Sequence, residues 1–135
     1  MYANILVPVS FEADRDAQGA LAIAKILCKP GGKITLFHVI EQVPQYATTY
    51  FPPGFSKEVE AKMKVRLEEM TDGADNVLAQ IVHGHSARTI LDFAETQNKD
   101  LIIVASHRPG MQDLLLGSTA AKVVRHATCA VHVIR

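Results

Sequence analysis

The residues of this chain best suited to chemistry lie between positions 101 and 118. The run Leu101-Ile-Ile-Val-Ala-Ser-His-Arg-Pro-Gly-Met-Gln-Asp-Leu-Leu-Leu-Gly-Ser118 brings together two hydroxyls (Ser106, Ser118), an imidazole (His107), a guanidinium (Arg108) and two glycines (Gly110, Gly117). The chemistry these types serve is anion binding. Glycine lets a backbone approach a ligand closely, Arg108 can form charge-assisted hydrogen bonds, and consecutive backbone N–H groups make a concavity for an anion. Gly117-Ser118 stands where a helix should begin, and a helix N-terminus presents unpaired N–H groups and the positive end of its dipole. Strand, glycine-containing loop and helix start form, in that order, a shape for holding phosphate. Each residue also has an ordinary reading. Gly117 can be a turn glycine and Ser118 an N-cap, His107 can bond the loop backbone, and Arg108 can be a solvated surface charge.

Catalytic chemistry finds less support. Ser106 and His107 are adjacent, and in an extended segment adjacent side chains point to opposite sides, so they do not form a nucleophile and its base. No carboxylate pair falls on strand ends for metal-assisted phosphoryl transfer, so no catalytic residue is assigned. His38, His83, His85, His126 and His132 lack spacing of the HExxH kind and are read as surface or packing histidines, with no metal site expected.

The elements that position the 101–118 segment follow from hydrophobic periodicity. Asn4 to Val9 reads as a short buried strand, and Asp14 to Leu27 as a helix whose stripe is Ala17, Ala20, Leu21, Ala24 and Leu27. Pro30-Gly31-Gly32 should break the chain before a strand from Lys33 to Ile40, rich in β-branched and aromatic residues. Residues 41 to 56 hold Pro44, Pro52, Pro53, Gly54, Tyr46, Tyr50 and Phe51, a composition that cannot sustain a helix and suggests a lid. The simpler account of its aromatics is packing onto the sheet. Ser56 can cap a second helix carrying Val59, Met63, Leu67 and Met70, whose many charges form a solvated face. Asp72-Gly73 ends it. Val77 to Val82 is a third strand, Gly84-His85-Ser86 leads into a helix with Ile90, Leu91 and Ala94, and Leu101 to Val104 is a fourth strand, continuously apolar as if covered on both faces. Ser118 to His126 is a short helix, and Ala130 to Ile134 a closing strand.

Five strands alternating with four helices imply an α/β fold: one open, mainly parallel sheet with helices on both faces and right-handed crossovers. In such a sheet ligands sit beyond the carboxyl ends of the strands, where strand order reverses, so the loops after strands one and four should meet there. The first of these, Ser10-Phe-Glu-Ala-Asp-Arg-Asp16, has three acids and neither GxxxxGK[ST] nor GxGxxG, which leaves phosphate to the second.

The 135 residues suffice for one domain with its own core, and no repeat or linker divides them. Fourteen Lys+Arg balance fourteen Asp+Glu, which argues against a nucleic-acid or membrane-surface binder. The two cysteines, Cys28 and Cys129, have no metal-ligand spacing and are read as reduced, buried thiols. The chain enters a strand-like run almost at once, without a secretory pattern or an apolar run of transmembrane length, so a soluble cytoplasmic protein is expected.

Several stretches carry a resemblance over essentially the whole length. Asn4-Ile-Leu-Val-Pro-Val9, Leu36-Phe-His-Val-Ile40, the Gly84-x-Ser86-x-x-x-Ile90 step, Asp100-Leu-Ile-Ile-Val-Ala-Ser-His107 and Leu115-Leu-Gly-Ser-Thr-Ala-Ala-Lys-Val-Val-Arg-His-Ala127 are similar to the universal stress protein (UspA-like) family. The resemblance implies the adenine nucleotide alpha hydrolase-like, Rossmann-like arrangement with strand order 3-2-1-4-5. The family's nucleotide-binding branch carries a Gly-x2-Gly-x9-Gly-Ser/Thr signature that wraps ATP phosphates. Here Ala105 stands at the first glycine, Arg108 at the second, and eight residues separate Arg108 from Gly117; Gly117-Ser118 is intact. The Ala-Ser-His-Arg-Pro form resembles a small-protein subgroup that also binds ATP. Ser10 stands where the family usually places an Asp near adenine.

What the resemblance implies, position by position, is Pro8, Val9, Ser10 and Val39 around adenine and ribose. Val104, Ala105, His107, Arg108, Gly110, Gly117, Ser118 and Thr119 then line ribose and phosphates. ATP, with Mg²⁺, would act as the ligand of a nucleotide-responsive stress or regulatory protein, an unknown protein partner reading its state. The family is commonly dimeric through its last strand, which makes residues 130–134 the expected homodimer contact and matches the need to cover an apolar edge strand. The alternatives are a nucleotide-free interaction module, as in the branch lacking the signature, and a protein with slow ATP hydrolysis or autophosphorylation.

Overall fold

A computed structural model describes residues 1–10, 17–41, 55–105 and 117–135. The elements in chain order are β1 (Tyr2–Pro8), α1 (Ala17–Leu27), β2 (Cys28–Ile40), α2 (Phe55–Met70), β3 (Val77–His83), α3 (Ser86–Thr96), β4 (Leu101–Ala105), α4 (Ser118–His126) and β5 (Ala130–Ile134). The five strands form one sheet in the order β3-β2-β1-β4-β5, and every pairing is parallel. This is the α/β arrangement expected, with β1 and β4 adjacent at its centre and strand order reversing between them.

The strands at the centre are apolar on both sides because both sides are covered. Ile5, Val7, Ile34, Leu36, Leu101 and Ile103 face Ala20, Leu21 and Ala24 of α1 and Leu67 of α2, all buried. Leu6, Phe37, Ile102 and Val104 face Ile90 and Ala94 of α3 and Ala120 and Val123 of α4. The two-residue alternation of each strand therefore sends successive side chains into two different cores. Phe37 is fully buried and stacks on Phe93 with ring centroids 4.3 Å apart.

Several details differ from the periodicity reading. Pro30-Gly31-Gly32 does not interrupt the second strand; it bulges within it. Tyr2 pairs with Cys28 but Asn4 with Lys33, so the four β2 residues 29 to 32 lie against Ala3 alone in β1. Gly31 has φ +82°, a conformation glycine adopts without strain. At Gly32 a Cβ would lie 2.7 Å from the Cys28 sulfur and 3.0 and 3.1 Å from the backbone oxygens of Lys29 and Tyr2, so close packing favours glycine there. Ser56 falls inside the first turn of α2, not ahead of it. Both cysteines are free and only half-buried, since Cys28 opens an exposed bulge and Cys129 precedes the edge strand.

At the amino ends of the strands a polar latch joins β1 to β4. The Asp100 carboxylate accepts hydrogen bonds from the backbone N–H of Ala3 (2.8 Å) and Asn4 (3.0 Å). Lys99 Nζ donates to Asn4 Oδ1 and to the hydroxyl of buried Thr35, both at 2.8 Å, while the Asn4 amide donates to the carbonyls of Gln97 and Asn98. Burial, reinforced by nearby Lys33, pulls the Lys99 pKa below its ordinary value. The latch lies at the end of the sheet opposite the strands' carboxyl ends.

Candidate functional site

The carboxyl ends of β1, β2 and β4 open into a cavity of about 610 Å³. Volumes of roughly 300–1,000 Å³ are usual for small-molecule sites. Its walls come from both layers: Pro8, Val9 and Ser10 at the end of β1; Phe37, His38, Val39 and Glu41 at the end of β2; Val104 and Ala105 of β4; Ala17 and Ala20 of α1; Met63 of α2; Ser86 and Ile90 of α3; Ser118, Thr119 and Ala120 of α4. A strand that ends abruptly beneath the start of a helix leaves such a crevice wherever its neighbour's helix leaves on the opposite face, as β1 and β4 do here.

Eight of the expected positions thus converge. Pro8, Val9, Ser10, Val39, Val104, Ala105, Ser118 and Thr119 line one cavity although up to 111 positions separate them in the chain (Pro8 to Thr119). Gly117 adjoins it as the N-cap residue of α4, with φ −60° and ψ 154°. His107, Arg108 and Gly110 lie outside the described residues, as do residues 42–54 of the 41–56 segment read as a lid, whose last two positions, 55 and 56, belong to α2.

The geometry at Gly117 alters the reading of Ser118. Because Gly117 is the N-cap, Ser118 is the first helical residue and its hydroxyl is not the cap. Glycine brings no side-chain oxygen, and no side-chain cap hydrogen bond is formed. The first intrahelical bond is Ala121 N–H to Gly117 O, at 2.9 Å, so the amides of residues 118 to 120 point out of the helix end toward the cavity side. The first turn also holds no acid. Helix dipole, amides and the two hydroxyls of Ser118 and Thr119 would act together on an anion placed there.

Sequence reasoning missed three polar contributors. His38, read as a packing histidine, is half-buried in the cavity wall with Nδ1 2.7 Å from the Val9 carbonyl oxygen. A carbonyl only accepts, so Nδ1 carries the hydrogen; burial holds the imidazole pKa below its ordinary value of 6.5, against the opposing effect of that bond. The ring thereby pins the residue that turns the chain out of β1. Glu41 and Ser86 also line the cavity, the Ser86 hydroxyl donating to Glu41 Oε1 at 2.9 Å. The signal available for Glu41 was its position directly after strand two, where α/β nucleotide sites often carry an acid. Among the described residues no group of three or more His, Cys, Asp or Glu side chains could hold a metal ion.

Fold and crevice together define the class: a doubly wound parallel α/β domain with a ligand-sized cleft at its topological switch point, one wall of which is a helix N-terminus. The model of the Universal stress protein family matches residues 1–135, and the chain belongs to that family. It is 31% identical over 139 residues to the "Universal stress protein in QAH/OAS sulfhydrylase 3'region" of Thermus aquaticus, with 100% of both chains covered. Among solved structures, hypothetical protein MJ0577 matches with a TM-score of 0.81 and 26% identity, over 99% of this chain and 96% of that one. Two more distant structures share the fold: a universal stress protein in complex with cAMP (TM-score 0.72, 18% identity, 99% and 97% covered) and one from Archaeoglobus fulgidus in complex with dAMP (0.66, 16%, 99% and 98%). No helix among the described residues is long and apolar enough to cross a membrane.

Proposed function

We propose that this protein binds an adenine nucleotide, ATP, in the crevice between β1 and β4, and that it works as a nucleotide-responsive regulatory protein. The observation that carries the reading is the pairing of two unlike walls in one cavity. Pro8, Val9 and Val39 offer an apolar surface suited to a base, and the α4 N-terminus offers Ser118, Thr119 and uncapped amides suited to phosphate. Val104 and Ala105 lie between as the ribose wall, with Ser10 on the adenine side. His107, Arg108 and Gly110 complete the phosphate cradle in this reading. The solved relatives in complex with cAMP and dAMP support an adenine ligand.

The residues present fit such a ligand in shape and polarity. Mg²⁺ would travel with the phosphates and keep several of its waters, as it commonly does when held largely by a ligand's phosphates. When bound it would supply charge neutralisation at the phosphates. The walls belong to α2, α3 and α4 as well as to the sheet, so occupancy biases the helices whose outer faces a partner meets. β5 lies at the sheet edge, and a homodimer through residues 130–134 would cover its outer backbone groups.

Acid release from the purified protein followed by anion-exchange chromatography should yield an adenine nucleotide. Isothermal titration should give ATP binding in the micromolar range or tighter, weakened in Gly117→Val, where a branched side chain obstructs approach to the amides. Failure of ATP, ADP and AMP alike to bind at micromolar concentrations would overturn the proposal.

A further inference from the structure

A second groove lies between α3 and α4, also with a volume of about 610 Å³, and Ser118 lines both it and the crevice. Its floor is made by small and apolar residues of the two helices. Its charges are one-sided: Arg88 from α3, and Lys122 and Arg125 from α4, against Asp92 alone. The chain as a whole is neutral, and α4 contains no acidic residue, so this is a local concentration of positive charge. Arg125 in the last turn also complements the helix dipole, but Lys122 and Arg88 have no such account. The Arg88–Asp92 pair is loose, at 3.9 Å with both side chains largely exposed, and does not neutralise the cluster.

Helix periodicity sets the direction of the row. Lys122 follows Ser118 by four positions and Arg125 by seven, which places the three on one face, one and two turns down from the helix start. A phosphate chain held at the α4 amides and continuing past Ser118 would run along this row.

We infer that the α3–α4 groove is a subsite for the distal phosphates of an adenine nucleotide whose chain is longer than a triphosphate, such as adenosine tetraphosphate or a dinucleoside polyphosphate. The inference rests on the crevice being the nucleotide site. Phosphates beyond the third meet Lys122 and then Arg125, with Arg88 across the groove, and the nucleoside tethers them so that the groove needs no large affinity of its own.

The test is titration of AMP, ATP and adenosine tetraphosphate, with inorganic tripolyphosphate as the nucleoside-free probe. Adenosine tetraphosphate should bind about tenfold more tightly than ATP, the scale of a few exposed charge contacts made by a tethered group. Lys122→Glu/Arg125→Glu should abolish that gain while leaving AMP affinity in place, and Lys122→Ala/Arg125→Ala, which preserves helix propensity, should abolish most of it. Equal affinity for the tetraphosphate and ATP in the wild type, retention of the gain in the charge-reversed protein, or tripolyphosphate binding as tightly as the tetraphosphate would each overturn the inference. Absence of AMP and ATP binding would instead refute the crevice itself.

Discussion

Replacing Ser118 by Asp separates phosphate binding from fold stability, because the two respond with opposite sign. Ser118 is exposed, is the first residue of α4, and stands in a first turn without an acid. A carboxylate there interacts favourably with the helix dipole, by about 0.3–1 kcal/mol. The variant should therefore melt roughly 1–4 °C higher than the wild type, given the size of the chain. The same carboxylate opposes a bound phosphate. Two unit charges about 5 Å apart at an effective dielectric constant near 20 repel by roughly 3 kcal/mol, and solvent exposure at this rim position cuts that by half or more. The remaining ~1.5 kcal/mol corresponds to about a tenfold loss of affinity. Isothermal titration should then show ATP about tenfold weaker, the deficit shrinking as salt is raised, with adenosine unchanged. An unaltered ATP affinity, or an equal loss for adenosine and ATP, refutes the placing of phosphate at the α4 N-terminus.

Three further outcomes are expected. Asp100→Ala removes the acceptor for the amides of Ala3 and Asn4 and should lower unfolding free energy by about 2–4 kcal/mol in urea, without moving ATP affinity, since the latch lies at the far end of the sheet. Gly84→Ala should cost about 1–3 kcal/mol by the same measure, because Gly84 has φ +153° and an added Cβ would collide with the Thr89 hydroxyl. His38 titrates with a folded-state pKa below 6.5, so the unfolded chain binds the proton more readily; its contribution to stability is complete above pH 6.5 and is lost as pH falls from there toward the folded-state value. Denaturation midpoints of the wild type should decline over that range more steeply than those of His38→Gln, and parallel profiles would show that the imidazole is not the group responsible.

The sequence carried the architecture because hydrophobic periodicity is a local property. Leu101 to Val104 is apolar at every position, which only a strand covered on both faces requires, and α1 writes its stripe at Ala17, Ala20, Leu21 and Ala24. Gly117-Ser118 was legible for the same reason, since a helix start is decided by a few neighbouring residues. The proposed class of ligand rests on the same feature, as amides and a dipole at a helix end are properties of the backbone.

What tertiary structure decided is which distant residues share a wall. Nothing within strand two tells that His38 reaches the Val9 carbonyl, or that Ser86 meets Glu41 across the crevice, because both contacts depend on parallel register between strands. Pro30-Gly31-Gly32 reads locally as a break, yet pairing of Tyr2 with Cys28 keeps it in the sheet as a bulge. Thr35 shows the same division: a threonine in a strand is unremarkable by itself, and only the packing of Lys99 over β2 makes it a buried hydrogen-bond acceptor. Local pattern fixes what each element is, whereas the register of one element against another fixes which polar groups meet, and that register is set by contacts across the whole sheet.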